Sequence, residues 1–130
     1  MNLKNIIFYL SFATLCTHEL DAMANHEWRV LPLTNWLPDE IGAVVFLFSH
    51  ILLFSVVVAL IASTNEKVRN RSRVIISVFL IVHGILHSLF SGSKAYEFTS
   101  LASSILIYGG AALGAIFLAI ELHEKYSVKT

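Results

Sequence analysis

The chain alternates long apolar blocks with short polar breaks. Residues 3–17 are almost purely apolar or hydroxylic. A polar stretch, Thr17-His18-Glu19-Leu20-Asp21-Ala22-Met23-Ala24-Asn25-His26-Glu27-Trp28-Arg29, follows where lipid-facing sequence should continue. No helix breaker appears before Pro32, so the pattern predicts one helix from about residue 4 to 30. Residues 31–40 carry both prolines, Pro32 and Pro38, and read as a loop. Trp28 and Trp36 suit a membrane–water interface there. Asp39 and Glu40 favour the positive end of a second helix, expected over 41–63. A polar loop with Lys67, Arg69, Arg71 and Arg73 precedes a third span over 74–91. A short turn then leads to a fourth span over 98–122 and a polar tail.

Each block is long enough to cross a bilayer, and the connections are short. The expectation is an all-α, integral membrane four-helix bundle of up-down-up-down topology, a single membrane domain over residues 1–130. A secretory leader is the competing reading of the N-terminus, with Ala22-Met23-Ala24 as a cleavage site. The carboxylates around His18 speak against it.

Composition narrows the class. The chain has 130 residues, 56% of them hydrophobic, and its nine basic and nine acidic residues cancel. No basic excess points to nucleic acid. The single cysteine, Cys16, excludes an internal disulfide or a CxxC motif and reads as a packing residue. Lys4, the 67–73 cluster, Lys125 and Lys129 fall on one side, and only Arg29 and Lys94 on the other. The positive-inside rule then places both termini in the cytoplasm and the protein in the cytoplasmic (inner) membrane. The basic loop reads as a topology signal that meets anionic headgroups. Glu121, His123 and Glu124 read as solvated groups past the last span.

The polar residues inside the spans carry the functional argument, because such groups are costly in hydrocarbon. At ~1.5 Å rise per residue, His18, His50 and His83 come to a common depth, and His87 lies one turn outward of His83 on the same face. Neutral imidazoles are the commonest metal ligands. His18, His50, His83 and His87 are therefore the candidate ligands, for zinc or iron. Asp21 and Glu19 are the candidate general base or carboxylate partners. The helical wheel turns Glu27 away from this face, toward the interface. His26, Glu27 and Arg29 read as an interfacial cap, with Arg29 paired to Glu27 or Asp21.

This pattern suits a metal-dependent hydrolase or oxidase acting on a lipophilic small molecule. Two alternatives stay open. Haem b could be ligated by His50 and His83, or the polar groups could form a structural network or proton relay. The fourth span carries small residues, and Gly110-x-x-x-Gly114 allows close helix approach, including in a homo-oligomer. Tyr108 is its one polar contributor.

His18-Glu-Leu-Asp21 at the end of a first span, then Glu27-Trp28-Arg29-Val-Leu-Pro32, then one membrane histidine and a histidine pair, resembles small uncharacterised bacterial membrane proteins. The chain is also distantly similar to the family named for its His-x-x-Glu-Glu motif. His18 matches the motif histidine. Asp21 and Ala22 stand where its two glutamates are expected. The resemblance covers most of the chain and implies a membrane bundle with a polar centre, with no established activity.

Overall fold

The computed structural model describes residues 2–127; Lys129, counted above among the basic residues, lies outside them. Four helices follow one another, and there is no strand among the described residues: α1 Leu3–Ala24, α2 Asp39–Ile61, α3 Glu66–Phe90 and α4 Leu101–Ser127. A short 3₁₀ turn, Glu27–Arg29, sits between α1 and α2.

Contacts at the two ends give the up-down-up-down order. At one end Lys4, at the start of α1, pairs with Glu121 (3.0 Å) and Glu124 near the end of α4. Arg73, near the start of α3, donates to Asn5 Oδ1 and Tyr9 Oη on α1 at 3.0 and 2.9 Å. At the other end the last turns of α1 and α3 meet the residues leading into α4: the His18 ring lies 5.0 Å from His87 and 5.5 Å from Phe98.

Boundaries of α1, α3 and α4 differ from the sequence expectation. α1 stops at Ala24 instead of running to residue 30. Asn25 Nδ2 donates to the Asp21 carbonyl (2.7 Å) and to Asp21 Oδ1 (2.9 Å), and such side-chain bonds compete with the helix ladder. His26 then takes a left-handed conformation, φ 51°, which turns the chain. α3 starts at Glu66 instead of residue 74, because Asn65 Oδ1 accepts from the backbone N–H groups of Lys67 and Val68 and caps the helix. The basic residues therefore lie on the first turns of α3 and not in a loop. Arg73 is buried there, its guanidinium 5.0 Å from the centre of the Phe8 ring. α4 starts at Leu101 and continues to Ser127, beyond the expected end at residue 122, and its Glu121 and Glu124, solvated as expected, also pair with Lys4.

Close approach to α4 holds the bundle together. A Cβ on Gly114 would stand 2.8 Å from the Ser77 carbonyl oxygen of α3, and one on Gly110 would stand 3.4 Å from side chains of Thr14 on α1 and Leu80 on α3. The glycine strip is thus taken up inside the chain. Phe8, Leu15, Ile61, Ile76, Leu80 and Phe117 form the core toward the Lys4 end. Ala22, Trp28, Phe46, Phe98 and Ile107 form a second cluster toward the opposite end.

α2, α3 and α4 are long and apolar enough to cross a membrane. The outer surface fits membrane insertion: α2 leaves Phe48, Ile51 and Leu52 more than half exposed, apolar exposure that soluble monomers seldom show.

Candidate metal centre

Four ligand-bearing residues converge where α1, α3 and the 3₁₀ turn meet. One donor atom each from His18, Glu27, His83 and His87 can be chosen so that all four lie within 4.8 Å of one another. His18 comes from the last turns of α1. His83 and His87 stand one turn apart on α3, with Nε2 to Nε2 at 3.1 Å. Glu27 closes the set from the turn: its Oε2 is 3.6 Å from His18 Nε2, and its Oε1 is 3.5 Å from His87 Nε2. Donors at the corners of a tetrahedron around an ion ~2.0–2.1 Å away stand roughly 3.3 Å apart; three edges here are close to that, and the widest reaches 4.8 Å.

The site is enclosed. His18 is 1% exposed, His87 4% and Glu27 5%, and His83 is half-buried. Both His18 ring nitrogens and Glu27 Oε2 are buried without a hydrogen-bond partner. An unmade bond of this kind costs about 1–3 kcal/mol per group. A cation among the four would give His18 Nε2 and the carboxylate their missing partner.

The surroundings orient the rings. His87 Nδ1 is 3.1 Å from Tyr96 Oη, which leaves Nε2 to face the centre. Burial pushes the Tyr96 hydroxyl up to about 12, so it keeps its proton at neutral pH. Phe98 stacks edge-on to His87 at 4.8 Å. A cavity of about 30 Å³ adjoins the centre, lined by Glu27, Val30, Leu31, His83, His87 and Tyr96 among others. It has room for a water or two.

The sequence-derived candidates divide into two groups. His18, His83 and His87 come together. His50 stands apart from them: its Nε2 is 2.9 Å from Glu19 Oε2 and its Nδ1 is 2.6 Å from the Phe46 carbonyl oxygen. Asp21 bonds to Asn25 and is not in the cluster. Tyr108 reaches Ser88 at 3.1 Å.

Glu27 is the residue that sequence reasoning missed. A wheel drawn through an unbroken helix sends it to the interface. The break at Asn25 and His26 swings it back over the end of α1. The one sequence signal was the local pairing of Asn25 with His26, two residue types that tolerate left-handed backbone.

A polar lid covers this end. Arg29 grips Asp39 with two hydrogen bonds of 2.7 Å and Glu97 with one of 3.0 Å. Trp28 Nε1 donates to the same Asp39. His26 Nδ1 lies 2.8 Å from Glu97 Oε2. The hydrogen-bonded His26 ring and the Arg29 guanidinium hold the Glu97 carboxyl below the usual carboxylate range. Arg29 thus pairs with Asp39 and Glu97, not with the expected Glu27 or Asp21.

Fold and site together define a four-helix bundle with membrane-crossing potential and a buried His₃Glu cluster. The chain belongs to the Family of unknown function (DUF6713), whose model matches residues 4–124. No curated protein and no solved structure matches it.

Proposed function

We propose that this protein is an integral membrane protein that binds a divalent transition metal, zinc or iron, through His18, His83, His87 and Glu27. The observation that carries the reading is the convergence of four buried donors from three separate segments, two of those residues with polar atoms left unpartnered. Three neutral imidazoles and one carboxylate suit zinc or iron, and without thiolates there is no bias toward softer ions.

Such an ion would act as a Lewis acid and, with a water as a fifth ligand, would lower that water's pKa. The adjoining small cavity would hold that water, and the apolar walls around it suit hydrolysis or oxidation of a lipophilic substrate. Tyr96 would orient His87 by accepting from its Nδ1–H, the usual support for a ligating imidazole. The basic residues at the Lys4 end support an orientation with both termini in the cytoplasm of an inner membrane, and with the centre toward the outer face.

Elemental analysis of detergent-purified protein tests the metal reading. Stoichiometric zinc or iron is expected in the wild type and in His50→Ala, whose ring pairs with Glu19. His87→Ala and His83→Ala should lose most of it. Metal-free wild type after growth with both metals supplied, or full loading of His87→Ala, would overturn the reading in favour of a polar network.

A further inference from the structure

A second polar group lies outside the metal cluster, about 100° round α1 from His18. Glu19 and His50 form a pair between α1 and α2. Their side chains are only 14% and 19% exposed, and apolar cavities adjoin them. One, of about 220 Å³, lies between α1, α2 and α3 and is lined by Leu15, Glu19, Leu53, Phe54, Val57 and Phe79 among others. The other, of about 150 Å³, lies between α1 and α2, against Cys16, Glu19, Met23, Phe46 and His50 among others. Glu19 and Phe54 line both. Leu53, Leu47 and Phe79 at the rims are about half exposed, so the cleft opens sideways, toward lipid.

Hydrogen-bond chemistry fixes what the pair can offer. A carbonyl has no proton, so at 2.6 Å His50 Nδ1–H must donate to Phe46 O. The 2.9 Å contact between His50 Nε2 and Glu19 Oε2 also needs a proton. That proton sits either on the ring, giving an imidazolium and a carboxylate, or on Glu19 Oε2, giving two neutral groups. In both states it is spent within the pair. In both states the other oxygen, Glu19 Oε1, has only lone pairs to offer. The cleft therefore presents a hydrogen-bond acceptor, with no free donor from the pair, at the junction of two greasy cavities.

We propose that this cleft is a binding site for a lipophilic alcohol: a long apolar body in the α1–α2–α3 cavities and a hydroxyl donating to Glu19 Oε1. A ligand of this kind enters from the bilayer, fills aliphatic and aromatic walls, and supplies the one proton that the pair lacks. A few polar groups in an otherwise apolar pocket are how such sites fix orientation, and the Glu19 carboxylate lines both cavities. The cavities are distinct from the metal centre, since none of the four residues proposed to bind metal lines either of them, although Glu19 directly follows His18 in α1.

Photo-crosslinking of the full-length protein in nanodiscs tests this. The probe is 1-tetradecanol with a mid-chain diazirine, mapped by mass spectrometry. Competitors are 1-tetradecanol, its methyl ether and tetradecane. Label should concentrate on cleft residues such as Leu15, Phe54 and Phe79. The alcohol should compete about tenfold better than the ether, on the order of one buried hydrogen bond. Glu19→Leu should abolish that preference while leaving the metal content unchanged. Equal competition by ether and alcohol in the wild type would overturn the proposal. So would label spread over the lipid-facing Phe48 and Leu52 of α2. These last two readouts use the wild type, so they decide the matter even if Glu19→Leu fails to fold.

Discussion

Two glycines on α4 show how differently one residue type can act. A Cβ on Gly109 would meet only Ile105 Cγ2, at 4.0 Å, whereas one on Gly114 would meet the Ser77 backbone oxygen at 2.8 Å. Gly→Ala in a helix gains about 1 kcal/mol from propensity, and forcing a methyl into a filled contact costs about 1–3 kcal/mol. Gly109→Ala should therefore be neutral or stabilising, and Gly114→Ala destabilising despite its better propensity. Reversible unfolding in mixed micelles reads both. Equal effects at the two positions would mean that α4 does not pack on α3 through this residue. The same attention to single residues locates the fourth donor of the centre. Glu27 belongs to the site only because His26 accepts a left-handed backbone.

At the scale of elements, the connections do as much as the helices. The turn after α1, the start of α2 and the loop before α4 are tied by Arg29, Asp39, His26 and Glu97. This clamp lies over the same end of the bundle as the metal centre, and the turn that carries Arg29 also carries Glu27. Glu97 titrates lower folded than unfolded. Its contribution is present above the ordinary glutamate value of roughly 4.3 and is lost as pH falls through the folded value. Thermal midpoints should thus drop on acidification below about pH 4, and Glu97→Gln should flatten that drop. An unchanged pH profile in the variant would show that the clamp adds no stability. Because both Glu97 and Arg29 are partly exposed, high salt should weaken the effect.

At the scale of the whole molecule, the His18–Glu27–His83–His87 cluster brings α1, α3 and the turn together, and a metal bound there would tie them into one unit. Anything bound only by the folded state stabilises it, by about 2.7 kcal/mol when the free ligand is at a hundred times its dissociation constant. Chelation of the purified protein should lower its thermal midpoint, and zinc or iron should restore it. His87→Ala should show neither response. Retention of the full response in that variant would place the ion elsewhere. α2 contributes least to the core and presents the most exposed apolar surface. It borders the lateral cleft and carries His50, so movement of α2 would alter access to Glu19 without disturbing the four donors.

The four-helix plan was legible in the chain itself, because long apolar blocks separated by short polar breaks mark helices, three of which are long and apolar enough to cross a membrane. So was the meeting of His18, His83 and His87, since helical rise sets depth and an i,i+4 pair shares a face. Which side of α1 each polar group faces was decided only in three dimensions. His50 shares a level with the others by count, yet α2 brings it to Glu19. Glu27 points away on an extrapolated wheel, yet a two-residue break returns it to the centre. Periodicity extends along a helix only while the backbone ladder continues. Where side chains interrupt that ladder, or where a neighbouring helix selects one face over another, tertiary packing determines which donors meet.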